Sequence, residues 1–197
     1  MLKRHVTRYS FGLVGFVLLS LLMVACGTPT TTTTAQLKPT AKPSPTPTVS
    51  LTAYTGSGYT IGYPAGWKVA NSNQQVQITD AAQDNLVIEA KTGTSSISST
   101  TSASIIRFTL AGLKTVEKNY KEVTVPSKTT IDGTSWDQGA ATMDDPKSGS
   151  IQFVVVATQS PKNPNQIITM IYGTTVKTFA TINTADFQPM LNSFKFQ

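Results

Sequence analysis

The chain has 197 residues, with 16 Lys and Arg against 10 Asp and Glu, one histidine and one cysteine, and a formal net charge of +6. With His5 and Cys26 the sole imidazole and thiol, both ahead of the region that could fold, zinc sites of the usual ligand sets, cysteine nucleophiles and Ser/His/Asp hydrolysis are excluded there. Nor is the charge a nucleic-acid signature: loss of Lys3, Arg4 and Arg8 lowers it from +6 to +3, loss of Lys38 and Lys42 leaves +1, and the remaining lysines are scattered around the single Arg107.

In chain order the first element reads as a secretory leader. The basic start Lys3, Arg4 and Arg8 precedes an apolar run from Phe11 to Ala25, shorter than the about 20 residues of a membrane span, and no basic stop-transfer cluster follows. Leu22-Met23-Val24-Ala25-Cys26-Gly27 resembles a bacterial lipoprotein box. The resemblance implies that residues 1–25 are a signal peptide cut before Cys26, that the Cys26 sulfur carries palmitate or a similar chain, and that the new amino terminus is acylated too. Each buried methylene contributes about 0.8 kcal/mol, so two or three chains give stable attachment to the cell membrane on its extracytoplasmic face. An uncleaved signal anchor is the alternative.

Residues 26–52 read as a disordered tether. Thr30 to Thr34 form an unbroken run, and Pro39, Pro43, Pro45 and Pro47 follow among Thr, Ser, Ala and Lys, a composition unable to bury a core. As polyproline II the segment would reach on the order of 80 Å, and about 30 Å as a flexible coil. Its Thr, Ser and Pro content also suits O-glycosylation.

Residues 53–197 are of a size for one domain. Tyr59-Thr60-Ile61-Gly62-Tyr63 alternates like a half-buried strand, Pro64-Ala65-Gly66 turns, and Trp67-Lys68-Val69 resumes. Val76 and Ile78 mark another strand, and Leu86 to Ala90 reads as buried on both faces. Ile106, Leu110, Leu113, Val116 and Tyr120 recur at steps of three and four, which predicts a helix capped by Ser102 or Ser104, with Gly112 weakening its middle. Glu122 to Val125 and Thr129 to Ile131 read as extended, Asp132-Gly133 as a hairpin turn, and Trp136 to Met143 as the returning strand. Asp144 to Gly149 is a turn, Ile151 to Thr158 a central strand, Gln159 to Gln166 a loop, and Ile167 to Thr174 the last long strand. Thr184 is the expected cap of a short terminal helix with Phe187, Met190 and Leu191, and Pro189 must lie near its first turn or bend it.

The order of three motifs carries a resemblance. Tyr63-Pro64-Ala65-Gly66-Trp67, Ile131-Asp132-Gly133 and Met190-Leu191-Asn192-Ser193-Phe194-Lys195-Phe196 together look like the PsbP-like superfamily, which includes the PsbP subunit of photosystem II, DcrB-like and LpqN-type lipoproteins and a yeast Ran-binding protein. The resemblance implies an α+β fold in which a central antiparallel sheet is flanked by helices on both faces, an α/β/α sandwich, and mostly accessory or partner-binding roles. It transfers neither photosystem nor manganese binding, because His5 leaves with the leader. Pro64 and Gly66 carry over as turn positions and Trp67 as a core plug or a possible binding surface; Trp136, outside the three motifs, is a candidate for the same two roles.

Paired carboxylates are the remaining catalytic option, and the nearest are Asp144 with Asp145 and Asp132 with Asp137. Asp144 and Asp145 lie in a turn and Asp132 in the Asp-Gly hairpin, contexts that favour aspartate for local backbone bonding, which leaves Asp137 without a catalytic partner. No calcium loop with spaced acids and a terminal glutamate surrounds Asp144, and Gly56-Ser57-Gly58 lacks the lysine of a phosphate loop. The expectation is a non-enzymatic domain without cofactor or metal that serves as an interaction or assembly module for another envelope protein. The alternative is a carrier of a small apolar molecule or lipid, in a cavity lined by Ile106, Leu110, Phe153 and Met170. An enzyme without histidine is the third possibility.

Overall fold

The computed structural model describes residues 50–72, 75–93 and 101–197; the leader, Cys26 and nearly all of the tether lie outside them. The first element is a hairpin, β1 (Leu51–Gly56) with β2 (Tyr59–Pro64), closed at Gly58, whose φ of 81° a side chain would resist. Leu51 and Thr52 therefore belong to the domain and not to the tether. Leu51 packs over Gly62, where a Cβ would fall 2.8 Å from the leucine Cβ.

The strands β3 (Lys68–Ser72), β4 (Gln75–Thr79), β5 (Asn85–Thr92), β6 (Lys118–Val123), β7 (Lys128–Ile131), β8 (Thr134–Asp145), β9 (Gly149–Gln159) and β10 (Gln166–Thr175) form one antiparallel sheet in the order β3-β4-β5-β10-β9-β8-β6, with β7 also paired to β8. The Asp132-Gly133 turn has φ of 50° and 69° at its two central positions, as a primed hairpin requires. Along β5, Leu86, Ile88 and Ala90 are buried while Val87 and Glu89 are half-buried. That strand is thus one-sided, a correction to the two-sided expectation, because no helix among the described residues covers Val87 and Glu89 on their face.

Helix α1 (Ser102–Val116) lies on one face, over β8 and β9. Its cap is Thr101, whose side chain accepts from the Ser104 amide at 3.1 Å, not Ser102 or Ser104. Ile106 is buried and Leu110 and Leu113 pack against the same cluster, but Val116 faces solvent. The helix stops there: Glu117 is extended, Asn119 takes φ 54°, and Tyr120 reaches the α1-side core from β6.

The other face carries the larger core. The β1-β2 hairpin, the short β11 (Lys195–Phe196) paired to β2, and a helical run cover it. That run comprises α2 (Phe179–Ile182), a π-helical turn (Asn183–Phe187) and α3 (Gln188–Ser193), so it begins before Thr184, whose hydroxyl donates to the Ala180 carbonyl at 3.0 Å. The π turn has a local cause. Pro189 brings no amide and would crowd the Ala185 carbonyl in a regular helix; here the Gln188 amide bonds back five residues to the Asn183 carbonyl, widening the turn ahead of the ring. An antiparallel sheet with helices on both faces results. No helix among the described residues is long and apolar enough to cross a membrane.

Candidate functional site

The two tryptophans singled out from sequence are placed differently. Trp136 has no exposed surface: its ring stacks on Phe196 at 5.9 Å and meets Phe194 edge-on at 5.3 Å, and its indole N–H donates to the Ile131 carbonyl at 3.2 Å. Trp67 is half-buried and packs edge-on against Phe187 at 6.0 Å. Gly66 before it has φ 89°.

The carboxylate candidates are held by structural partners. Asp132 accepts from Lys195 Nζ at 2.7 Å and from the Phe196 amide at 3.1 Å; the lysine hydrogen bond, then the amide, hold its carboxyl below the usual range. Asp137 accepts from Lys128 Nζ at 2.8 Å and from the Ser102 hydroxyl, and those bonds lower its pKa in turn. Asp145 accepts from the Lys147 and Ser148 amides at 2.9 and 2.6 Å, while Asp144 accepts from Asn119. Two ionised, hydrogen-bonded carboxylates with lowered pKa values are poor proton donors near neutral pH. No group of three or more metal-ligating side chains comes together among the described residues.

Ile106, Leu110, Phe153 and Met170 do not line one cavity. Ile106, Leu110 and Phe153 are close-packed beneath α1, whereas Met170 points to the opposite face of the sheet because successive strand residues alternate sides. The apolar pocket required for a lipid carrier in that position is filled by side chains.

Three features stand open. The first is a cavity of about 250 Å³ between the C-terminal helical run and the sheet. Gln138 and Gln152 rise into it from β8 and β9, Tyr172 from β10, and Asn183, Gln188 and Asn192 close it from the π turn and α3. None of its lining residues is an acid, a lysine, an arginine or a histidine. Burial pushes the Tyr172 hydroxyl up to about 12, so it stays protonated. The cavity can donate and accept hydrogen bonds but holds no group able to exchange a proton near pH 7. A second hollow, about 340 Å³ between β1 and β3 to β5, has its polar rim tied together by Tyr54 donating to Asn71 at 3.0 Å.

The third open feature is the outward side of α1. Phe108 is 65% and Val116 72% exposed, with Gly112 between them on the same row, and the Arg107 guanidinium lies 5.2 Å from the Phe108 ring centre. The helix contains no acidic residue. Residues i, i+4 and i+8 share a face, so the sequence could have revealed this row, had Val116 not also fitted the buried stripe.

No protein-family model and no curated protein matches the chain. Among solved structures it is similar to cyanobacterial PsbP from Synechocystis sp. PCC 6803, at 18% identity over 81% of this chain and 100% of that one, with a TM-score of 0.56. Also similar are Mycobacterium tuberculosis LpqN, described as involved in cell envelope biogenesis (15% identity, 76% and 91% of the chains, TM-score 0.47), and a Bacteroides thetaiotaomicron protein (11%, 71% and 45%, 0.46). Sheet order, the helices on both faces and the full-length match to the cyanobacterial domain show that the described residues adopt the PsbP-like fold.

Proposed function

We propose that this chain is a lipoprotein of the extracytoplasmic membrane face, anchored through Cys26, whose PsbP-like domain is a non-catalytic interaction module for another envelope protein. One observation carries the interaction: the outward row Phe108, Gly112, Val116 on α1, with Arg107 stacked on Phe108. Scattered apolar side chains on a surface need no explanation. Here an aromatic and an arginine, two of the types enriched in protein interfaces, stand together on a helix whose opposite face is locked to the sheet. The absence of acids on the helix favours a partner groove that is apolar at its centre and acidic at its rim.

The test uses the full anchored chain with a photocrosslinking residue at Phe108 or, as a control in the exposed turn between β2 and β3 on the other side of the sheet, at Ala65. The expected result is one envelope protein crosslinked from Phe108 alone, lost on Phe108→Glu in the otherwise unchanged helix. Equal crosslinking from both positions, or capture indifferent to a charge at residue 108, rules out this face. Fractionation separates the anchor from the interaction. Cys26→Ser should release the chain from membranes, and retention would favour the uncleaved signal anchor.

A further inference from the structure

The cavity beneath the C-terminal helices departs from the pattern of the core around it. Face by face, β8 presents Trp136, Gln138 and Ala140, and β9 presents Val156, Val154 and Gln152, against Met170 and Tyr172 of β10. Two glutamines thus occupy positions that face the larger core, and among the described residues neither side chain has a hydrogen-bond partner. The buried side-chain polar atoms without a partner are Asn85 Oδ1 and Tyr120 Oη among the described residues, so the Gln138 and Gln152 carboxamides are not sealed off but keep a donor and an acceptor open toward the cavity. Positions where a sequence breaks its own inside-outside pattern are where function is expected. Across the cavity, Gln188 Nε2 donates to Asn183 Oδ1 at 3.2 Å, and Asn183 is the first residue of the π turn, a local irregularity often found at functional sites.

We propose that this cavity binds a neutral polyhydroxylated small molecule, a sugar or related polyol of about one ring. The lining excludes other classes. A phosphate, carboxylate or ammonium group would enter without any counter-charge, whereas each carboxamide offers a donor and an acceptor side by side, the pair that neighbouring hydroxyls require. Tyr172 and Phe179 supply aromatic surface for the C–H face of a ring. The volume, about 250 Å³, lies just below the roughly 300 to 1,000 Å³ of drug-sized sites. Most of the floor is the face of the sheet; β7, which lines one side through Thr129, Thr130 and Ile131, pairs only with β8, and triglycine tests whether its free edge takes an extended peptide instead. The site is independent of the α1 face, which lies on the other side of the sheet.

The experiment titrates the full chain with D-glucose and N-acetyl-D-glucosamine, with glucose 6-phosphate, glucosamine and triglycine as comparators, following the side-chain amide resonances of Asn and Gln. The expected result is saturable binding of a neutral sugar with a dissociation constant on the order of 1 mM, shifting the resonances of Gln138, Gln152 and Asn183. Gln152→Ala and Asn183→Ala should each weaken it about tenfold or more, with Asn163→Ala, in the β9-β10 loop, unaffected. Three outcomes overturn the proposal: no saturable binding of either neutral sugar, equal or tighter binding of a charged comparator or of triglycine, or binding that survives both cavity substitutions.

Discussion

Gly139 of β8 lies directly under Leu110 of α1: a Cβ on that glycine would fall 2.8 Å from Leu110 Cδ1 and 2.9 Å from Ile106 Cγ2. The helix is seated on backbone, leaving no room for a ligand between them. Gly139→Val should therefore destabilise the domain by about 1 to 3 kcal/mol through overpacking against the stiff Ile106 side chain. Gly112, on the outward side of the same helix, has nothing within 4 Å of its would-be Cβ. Gly112→Ala should stabilise by roughly 0.5 to 1 kcal/mol. Denaturant unfolding of both variants measures the contrast, and a neutral Gly139→Val would mean that α1 sits farther from the sheet.

Trp136 joins three parts of the chain at once. Its ring contacts Phe194 after α3 and Phe196 in β11, while its N–H donates to Ile131 before the Asp132-Gly133 turn. Trp136→Phe keeps an aromatic ring but removes the N–H that donates to the Ile131 carbonyl in a buried site, and should destabilise by about 0.5 to 1.5 kcal/mol. Trp136→Ala should approach about 3 to 5 kcal/mol. Thermal unfolding ranks the two, and equal losses would assign the effect to the N–H bond that both variants lack and not to ring volume.

Much of this architecture is legible from residue patterns, and the failures have physical causes. Alternation located most strands of the large sheet, and Asp132-Gly133 marked its hairpin because few dipeptides tolerate two positive φ angles. Strand β1 escaped because only Leu51 and Tyr54 among its residues are large, so it resembles the tether before it. Helix α1 seemed to run on to Tyr120 because a residue four places beyond Val116 fits the apolar stripe, although the chain turns at Asn119 and delivers that tyrosine from a strand. The cavity was invisible for a different reason. Gln138 and Gln152 are fourteen positions apart, and they become neighbours of Asn183 only through the β8-β9 register and the Pro189-linked π turn.

Asp132 ties the hairpin turn to the carboxyl-terminal strand through Lys195 and the Phe196 amide. Its folded pKa is lowered, so its contribution is present above the ordinary value of about 3.9 and is lost as pH falls toward the folded value. Asp132→Ala should destabilise at pH 7 by about 1 to 2 kcal/mol, because it loses both bonds and places alanine at φ 50°. Asp132→Asn should be milder, since asparagine tolerates that conformation and can still accept from the amide. Both should flatten the acid limb of the stability profile. An unchanged limb would place the acid sensitivity elsewhere.

Asp84 carries the opposite sign. Its residue is 5% exposed, and burial, foremost, raises its pKa, with Asp80 and Asp186 adding repulsion and the Thr174 hydroxyl opposing. Burial raises Asp186 as well. Between the unfolded value of about 3.9 and the higher folded value the native chain binds more protons than the unfolded one, so stability falls as pH rises through that window and is fully present below it. Asp84→Asn removes the charge while its side-chain oxygen can still accept from Thr174, whose hydroxyl also meets Thr178 at 2.9 Å. The variant should therefore be at least as stable as the parent at pH 7, with the difference closing by about pH 4. Unfolding midpoints across pH 3 to 8 decide the matter. A variant less stable than the parent at pH 7 would show that the charged hydrogen bond from Thr174 outweighs desolvation, and that this carboxylate is held ionised by design of its neighbours.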